Sequence, residues 1–282
     1  MKASVIISTY KRTDNLSLIL QALDRQTCNN FEVIISEDDH NPEMAFYISV
    51  AQKRHAFPIV HLSQDADEGF RKNQMLNRSI AAAKGVLLIF LDGDCIPHPS
   101  LVEEYIRHGT SHRIMTGRRV MLHQRITQRL YRYNSLQPLS LLRIIAAGSS
   151  HIEEGLYLPF MPRTKAKGIL GCNWGVMKER LLEINGFDED YQQAAYGEDL
   201  DIEWRLLQTG CHLFSMKFRA IVYHLDHAAN YGQEELKQSQ RLWEQKRKAN
   251  IVACINGLVK TVVQAPRKYP GALPLPPVAQ AL

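Results

Sequence analysis

An uninterrupted apolar run followed at once by two carboxylates constrains the fold of this chain more than any other feature. The run extends from Val86 to Leu91, and Asp92-Gly93-Asp94 comes directly after it. Such a run is typical of a strand buried on both faces, as in a parallel sheet. The carboxylates would then lie at the edge where open α/β sheets bind ligands. There they could hold a hard divalent cation together with substrate phosphates, or simply form a polar turn.

Strand and helix patterns alternate through the first third of the chain. Three further apolar runs predict strands, at residues 3–7, 31–35 and 59–62. Amphipathic helical spacing follows the first of these strands, over residues 16–23, and the last, over residues 71–83. Because strand-helix-strand units place consecutive strands in parallel, this order favours an α/β fold with a doubly wound, mostly parallel sheet.

Helix boundaries are predicted from capping residues. Asp14 is the expected cap of the first helix, and Ser100 with Glu103 forms a capping-box pattern before a helix that stops near Gly109. A long helical stretch is expected over residues 233–264, ended by Pro266. One face of that stretch carries an apolar stripe, formed by Ile251, Cys254, Ile255, Leu258 and Val262. The last 17 residues hold five of the 12 prolines and are expected to be extended or disordered.

Composition limits the class of protein. The five cysteines are scattered without a Cys-x-x-Cys pair, so neither a disulfide framework nor a zinc knuckle is indicated. Free thiols fit a reducing compartment. The first apolar residues form too short a run for a signal peptide, and no run approaches the roughly 18 residues that a membrane span needs. We therefore expect a cytoplasmic protein, either soluble or peripheral on a membrane.

The net charge of +5 is unevenly distributed. From Tyr105 to Ile152 there is no Asp or Glu, while arginines occur at positions 107, 113, 118, 119, 125, 129, 132 and 143. This stretch is either a solvated basic face or a surface for an anionic partner. Nucleic acid is not indicated, because no known binding motif accompanies the arginines. Combined with the C-terminal apolar stripe, it predicts reversible association with an anionic membrane; the alternative is that the stripe packs on the core or on a second subunit.

Polar residues also follow the other predicted strands. The first strand leads into Thr9, Tyr10 and Arg12, whose backbone amides and basic group could meet a nucleotide. Glu37 and Asp38 follow the second strand and could accept hydrogen bonds from a ribose or a base. Basic residues at 71 and 72 open a helix and could face a diphosphate. The first two segments could also be ordinary loops, and the basic pair could simply cover the helix start.

Two later clusters indicate catalysis and metal binding. Glu198 and Asp199 begin a predicted helix, where the helix dipole explains acidic residues in part. The functional interpretation is a general base that takes a proton from a hydroxyl nucleophile. His224 and His227 follow another predicted strand, and either could supply a nitrogen ligand to a metal held by the upstream carboxylates, with His224 preferred.

Taken in order, these motifs resemble a known enzyme family. The segments STYKR, EVIISEDD, FRKNQMLNRSI and LIFLDGDCIP resemble the nucleotide-sugar-binding half of a family 2 inverting glycosyltransferase with the GT-A fold. The segments ILGCNWGVMKERLLEINGFDEDY and YGEDLDIEWRL resemble the acceptor-side segment of β-galactosyl- and polypeptide N-acetylgalactosaminyl-transferases. The resemblance covers residues 3–227. It departs from the family at Glu37, where Asp is usual, and at Asp39-His40, where Gly-Ser is usual.

The resemblance implies a role for each matching residue. The nucleotide-sugar site would comprise Thr9, Tyr10, Arg12, Glu37, Asp38, Arg71, Asp92, Gly93, Asn173 and Trp174. Within it Thr9, Glu37 and Asp38 would hold the nucleoside, and Arg71 would lie near the diphosphate or the sugar. Asn173 and Trp174 would line the sugar and acceptor pocket.

Metal and catalytic roles follow in the same way. Asp94, less directly Asp92, and His224 would bind Mn²⁺ or Mg²⁺. Glu198 would position the acceptor and Asp199 would be the base. We accordingly expect a nucleotide-sugar-binding half over residues 1–115, an acceptor-side subdomain with the base over 116–232, and a C-terminal helix and tail over 233–282.

The expected activity is metal-dependent transfer of a hexose or N-acetylhexosamine, with inversion. The donor would be a nucleoside diphosphate sugar, a UDP-sugar by preference, and the acceptor a glycan or lipid-linked glycan in surface polysaccharide synthesis. One alternative is a nucleotidyltransferase, which would need a glycine-rich phosphate loop near the N-terminus; residues 8–14 contain no glycine. The other is a catalytically inactive glycan-binding module.

Overall fold

A computed structural model describes residues 1–193, 197–228 and 232–260. All four strands predicted in the first third are present, and each carries one or two residues beyond its apolar run on the carboxyl side. They are β1 (Ala3–Thr9), β2 (Phe31–Glu37), β3 (Ile59–Ser63) and β4 (Leu87–Asp92). The later strands are β5 (Cys95–Pro97), β6 (Arg113–Thr116), β7 (Arg118–Met121), β8 (Asn173–Met177), β9 (His212–Ser215) and β10 (Ile221–His224).

The described helices flank these strands. They are α1 (Thr13–Leu23), α2 (Pro42–Arg54), α3 (Lys72–Ala82), α4 (Leu101–His108), α5 (Gln124–Tyr133), α6 (Leu141–Ala146), α7 (Lys178–Glu183), α8 (Glu198–Gln208) and α9 (Gln233–Ala249), with a 3-10 turn at Ile152–Gly155. Helix α2 was not predicted, although Asn41 accepts hydrogen bonds from the first-turn amides as a typical N-cap does. Among the described residues, no helix is long and apolar enough to span a membrane.

The main sheet is mixed but mostly parallel, as predicted. Its seven strands lie in the order β3-β2-β1-β4-β8-β6-β9, and only β8 runs antiparallel to its neighbours. A separate three-stranded sheet has the order β5-β10-β7. Strands from both sides of residue 115, where the sequence predicts the boundary between the nucleotide-sugar-binding half and the acceptor-side subdomain, belong to the main sheet. This division of the chain stays a prediction.

Side chains along the central strands point alternately to the two faces of the sheet, and this divides the core into two layers. Val5 and Ile7 of β1 face helices α1 and α4, whereas Ile6 faces α3 and α8. All three side chains are fully buried. Since both faces of the parallel strands are covered, their ends are the part of the sheet that remains open to a ligand.

Two predicted helix caps are wrong. Asp14 lies inside the first turn of α1, where its carboxylate accepts from the neighbouring Asn15 amide at 2.9 Å. Ser100 occupies the N-cap position of α4, but its hydroxyl makes no capping hydrogen bond. Glu103 accepts instead from Thr27 and Arg107. Thr27, from outside the helix, and Arg107, one turn further along α4, therefore occupy the carboxylate that the capping-box pattern assigned to the helix start.

The predicted helix over residues 233–264 is also wrong, because α9 ends at Ala249. Asn250 has a left-handed backbone, with φ 52°, which terminates the helix. Beyond it the chain packs on the end of α7: the Cys254 and Leu258 amides donate to the carbonyls of Ile184 and Asn185. Of the described stripe residues, Cys254 is buried and Leu258 packs on the core, whereas Ile251 and Ile255 are exposed. Membrane association and packing therefore both stay predictions for the stripe. Val262, Pro266 and the proline-rich tail lie outside the described residues.

Candidate active site

An open cleft lies at the carboxyl ends of β1 and β4. Strand β1 has β2 on one side and β4 on the other, so the order of the strands reverses at β1. Doubly wound sheets bind ligands at such a reversal. The cleft has a volume of ≈ 680 Å³, within the range of small-molecule sites. It is lined by Ser8, Thr9, Tyr10, Arg12, Asn15, Asp38, Gly69, Phe70, Lys72, Asp92, Gly93, Asp94, His227 and Ala228.

Close contact between the strand ends shapes the floor of the cleft. The Gly93 amide donates to the Ser8 carbonyl at 2.6 Å. A side chain at position 93 would meet that carbonyl oxygen at 2.7 Å, so only glycine fits between the two carboxylates. The backbone approach therefore explains the glycine of the Asp-Gly-Asp motif.

Asp38 lies at the end of β2, where it ties that strand to α3. Its carboxylate accepts from the Arg71 amide at 3.0 Å and from Gln64 Nε2 at 2.7 Å. Burial raises the pKa of Asp38 to about 6, against the lowering effect of these hydrogen bonds. The carboxylate lines the cleft and can accept further hydrogen bonds from a ligand.

Lys72, not Arg71, places its charge in the cleft. The Arg71 guanidinium turns back to the Phe70 carbonyl at 3.0 Å, whereas Lys72 Nζ donates to Asp92 Oδ1 at 3.0 Å. Burial lowers the pKa of Lys72, but the charges of Asp92, Glu198 and Asp199 outweigh it and raise the pKa. The Arg71 amide is already bound to Asp38, so the diphosphate-facing role of Arg71 stays a prediction. Lys72 lines the cleft, with its charge close to Asp92.

Asp94 forms a cluster with two histidines. Its Oδ2 atom lies 2.9 Å from His227 Nε2 and 3.4 Å from His224 Nε2. Antiparallel pairing of His224 with Cys95 brings the end of β10 beside the Asp-Gly-Asp turn. Although burial opposes it, hydrogen bonds from both imidazoles hold the pKa of Asp94 well below its ordinary value. The hydrogen bond to Asp94 raises the pKa of His227 to about 9.

The donor atoms of this cluster fit a divalent cation. One oxygen and two nitrogens lie within 4.8 Å of one another. Metal–ligand bonds of about 2.1 Å place adjacent ligands roughly 3 Å apart, so the cluster needs little rearrangement to close on an ion. His227 joins the predicted ligands Asp94 and His224. Asp92 is not part of the cluster among the described residues, because Lys72 holds its carboxylate.

Glu198 and Asp199 begin α8 beside this cleft. Asp199 Oδ2 accepts from the Gly171 amide at 2.7 Å. Burial, and then the neighbouring charge of Glu198, raise the pKa of Asp199 to about 7. The small pocket around both carboxylates is lined also by Ser8 and Lys72, which line the larger cleft as well. The two sites therefore adjoin, and a carboxyl poised near neutral pH faces their boundary.

Two predicted binding residues are closed off by protein contacts. Glu37 is fully buried, and its carboxylate accepts from His61 Nε2 at 2.6 Å and from the Asn41 amide at 3.3 Å. Asn173 is also fully buried: Tyr105 donates to its Oδ1, and its Nδ2 donates to the carbonyls of Arg118 and Ala220. Both side chains are committed to protein partners in this structure, and their contact with a ligand stays a prediction.

The remaining predicted residues surround the cleft in different ways. Trp174 is buried and stacks on Phe90, with 4.5 Å between ring centroids, while its ring borders the pocket of Asp199. The hydroxyl of Thr9 is buried and has no hydrogen-bond partner among the described residues. Tyr10 is half exposed. Arg12 lies at the mouth, paired with Asp14 at 2.9 Å.

Comparison with known families accounts for most of the chain. The family model described as glycosyl transferase family 2 matches residues 4–153, more than half of the chain. The chain belongs to glycosyl transferase family 2. A second model, described as the N-terminal domain of galactosyltransferase, matches residues 157–228.

Similar proteins place this family 2 member among glycosyltransferases. An uncharacterized glycosyltransferase of Haemophilus influenzae is 28% identical over 104 residues, which cover 37% of this chain and 33% of the relative. The mannosyltransferase PcManGT of Pyrobaculum calidifontis, solved with GDP-Man and Mn²⁺, has a TM-score of 0.58 and 15% identity, over 88% of this chain and 64% of that one. TarS 1-349 of S. aureus, solved with UDP-GlcNAc, has a TM-score of 0.54 and 14% identity, over 87% of this chain and 66% of that one.

These matches confirm the GT-A fold for the family 2 chain. The chain spans about a third of the length of the Haemophilus relative, and the sequence identity to the solved structures is low. The geometry of the cleft therefore has to carry the assignment of individual residues.

Proposed function

We propose that the chain is a metal-dependent inverting glycosyltransferase. It would transfer a hexose or N-acetylhexosamine from a nucleoside diphosphate sugar to a hydroxyl group of a glycan or a lipid-linked glycan. The observation that carries this proposal is the junction of the two pockets at Ser8 and Lys72. A donor in the larger cleft would point its sugar toward the carboxylate of Asp199.

Each charged group has a role in this arrangement. Asp38 would accept a hydrogen bond from the nucleoside, and Thr9 Oγ1, which has no partner within the described part of the chain, lies at the same edge. Lys72 would balance the negative charge of the diphosphate. Asp94, His224 and His227 would hold Mn²⁺ or Mg²⁺, which when bound supplies positive charge to stabilise the leaving diphosphate.

Asp199 would act as the general base. Its carboxylate takes the proton of the acceptor hydroxyl as that oxygen attacks the anomeric carbon, and the bond from this carbon to the diphosphate oxygen breaks. One displacement inverts the anomeric centre, so an α-linked donor gives a β-linked product. A pKa near 7 suits a base that works at neutral pH. Glu198 would position the acceptor.

The similar structures support a nucleotide-sugar donor but do not choose the base. PcManGT was solved with GDP-Man and TarS with UDP-GlcNAc. We favour a UDP-sugar, from the expectation based on sequence. We also propose a place in surface polysaccharide synthesis and a cytoplasmic setting, where the five cysteines, all free in the structure, would stay reduced.

The proposal is tested by changing the base and separating binding from turnover. We expect Asp199→Asn to lower the rate of transfer or donor hydrolysis by about 10²- to 10⁴-fold, because the amide cannot take the proton. The dissociation constant of UDP or GDP with MnCl₂ should stay within about twofold of the wild type. Asp190→Asn, on the surface outside both pockets, is the matched control and should retain activity.

Two outcomes would contradict the proposed mechanism. If Asp199→Asn lost nucleotide affinity but turned over bound donor normally, the residue would bind substrate and not act as base. If proton NMR of the product showed the donor's anomeric configuration retained, a single displacement would be excluded.

A further inference from the structure

Helices α5 and α6 form a hairpin with an unusually apolar outer surface. Leu142 is 81% exposed, Tyr133 63% and Ile145 50%. Side chains that stand so far out of the surface have little contact with the rest of the protein. We call the outer surface of residues 124–146 the hairpin face.

The inner sides of both helices pack on one core. Ile126 and Leu130 of α5 and Ile144 of α6 are buried in the same cluster. The His123 amide donates to Ser149 Oγ at 2.9 Å, which joins the start of α5 to the end of α6. Both helices therefore turn their inner sides to the core and their outer sides to solvent.

The hairpin face is also strongly basic. Arg125, Arg129, Arg132 and Arg143 are all exposed. None of them forms an ion pair in the described part of the chain, whereas the exposed Arg12 and Arg107 pair with Asp14 and Glu103. The whole segment from Tyr105 to Ile152 lacks acidic residues. The face therefore combines unneutralised guanidinium groups with protruding apolar side chains.

The hairpin lies beside the mouth of the cleft. Tyr131 Oη donates to Asn15 Oδ1 at 2.7 Å, and Asn15 lines the cleft. Thr127 Oγ1 accepts from the Asp226 amide at 3.0 Å, next to His227. Anything that contacts the hairpin face is thus held close to the entrance of the site.

We propose that the hairpin face docks on an anionic lipid bilayer. Leu142 and Ile145 would enter the interface between headgroups and acyl chains, Tyr133 would lie at the headgroup level, and the arginines would contact anionic lipid. Strongly protruding apolar side chains suit a fluid layer that closes around them, while a protein partner would need a matching surface. Presentation of a lipid-linked acceptor at the cleft rests on the proposed function; the membrane contact itself does not.

Vesicle sedimentation of the full chain tests the docking surface. We expect binding to vesicles with about a third anionic phosphatidylglycerol, much weaker binding to pure phosphatidylcholine, and loss of binding at high salt. Leu142→Ser/Ile145→Ser should lower the partition coefficient at least about tenfold. Arg129→Gln/Arg132→Gln should lower it by about fivefold for each arginine removed.

Matched controls come from α2, which is outside the hairpin face. Phe46 and Val50 are 72% and 49% exposed, close to the values for Leu142 and Ile145. Phe46→Ser/Val50→Ser and Arg54→Gln should bind vesicles as the wild type does. Mn²⁺-dependent binding of UDP or GDP should be unchanged in every variant, which separates this test from that of the catalytic site.

Several results would overturn the docking proposal. The first is failure of the intact protein to bind anionic vesicles at low salt. The second is binding of the hairpin variants as strong as that of the α2 controls. A third is concentration-dependent self-association that Leu142→Ser/Ile145→Ser abolishes without any vesicle binding. That last result would assign the hairpin face to a second copy of the chain.

Discussion

Replacing the proposed base should stabilise the protein, by an amount that grows as the pH rises toward neutral. The pKa of Asp199 rises from 3.8 to about 7 because burial and the charge of Glu198 disfavour its ionised form. A shift of this size corresponds to about 4 kcal/mol. The carboxylate is only partly shielded from solvent, so we reduce the expected effect to about 2 kcal/mol.

The sign follows from the raised pKa. Below the unfolded-state pKa near 3.8, the carboxyl is protonated in both states and its contribution to stability is fully present. That contribution is lost progressively as pH rises through about 7, because the unfolded state releases the proton more readily. Asp199→Asn has no proton to release and avoids the loss. Its stability advantage over the wild type should therefore grow from pH 5 to pH 8.

Urea unfolding of both proteins at several pH values measures this difference directly. We expect the free energy of unfolding of the variant to exceed that of the wild type by about 2 kcal/mol at pH 8, and by less than half as much at pH 5. Asp190→Asn is a control of opposite sign, because Lys246 and Asn256 lower the pKa of Asp190 against the effect of burial. Parallel stability curves for wild type and Asp199→Asn would refute the proposed state of this carboxyl.

Three further predictions concern the same region. Asp94→Asn should raise the MnCl₂ concentration for half-maximal donor hydrolysis by about tenfold or more, and unchanged activity in excess chelator would contradict it. Lys72→Met should weaken UDP or GDP binding more than Arg71→Met does. It should also move the pH midpoint of turnover upward, because a cation near Asp199 is removed. A larger loss of affinity in Arg71→Met would assign the diphosphate to Arg71. Asn173→Ala should lower the free energy of unfolding by about 3 kcal/mol, since it leaves buried polar partners unpaired, and should leave nucleotide affinity unchanged. A loss of nucleotide affinity without destabilisation would support a binding role for Asn173.

The sequence predicts the position of the cleft well, for a simple reason. Parallel strands buried on both faces have continuous apolar runs, so the polar residues that end them are easy to locate. Asp38, Asp92 and Asp94 were found in this way, and they come together at one sheet edge because neighbouring parallel strands end there. The fold class follows from the same alternation of strands and helices.

The direction of individual side chains could not be predicted. Arg71 and Lys72 are adjacent at the start of α3, and consecutive helical side chains point about 100° apart, so rotation of the helix decides which one enters the cleft. Asn173 illustrates a second difficulty. A polar side chain in a glycine-rich segment suits a ligand pocket, but here it satisfies backbone carbonyls between strands.

Other differences had signals that a closer examination of the sequence could use. Asn250 is a residue type that often ends helices, and it does end α9 well before Pro266. Asn41-Pro42 is a strong helix start, and Met44, Ile48 and Ala51 have the helical spacing of the buried side of α2.

Donor hydrolysis over a panel of nucleotide sugars tests the central claim most directly. UDP-glucose, UDP-galactose, their N-acetylated counterparts and GDP-mannose would each be incubated with the full chain, with MnCl₂ or with EDTA. We predict release of the free nucleoside diphosphate from at least one donor with MnCl₂, and its loss in EDTA and in Asp94→Asn. If no donor were bound or hydrolysed, or if release continued undiminished in EDTA, the cleft between β1 and β4 would not be a metal-dependent sugar-transfer site.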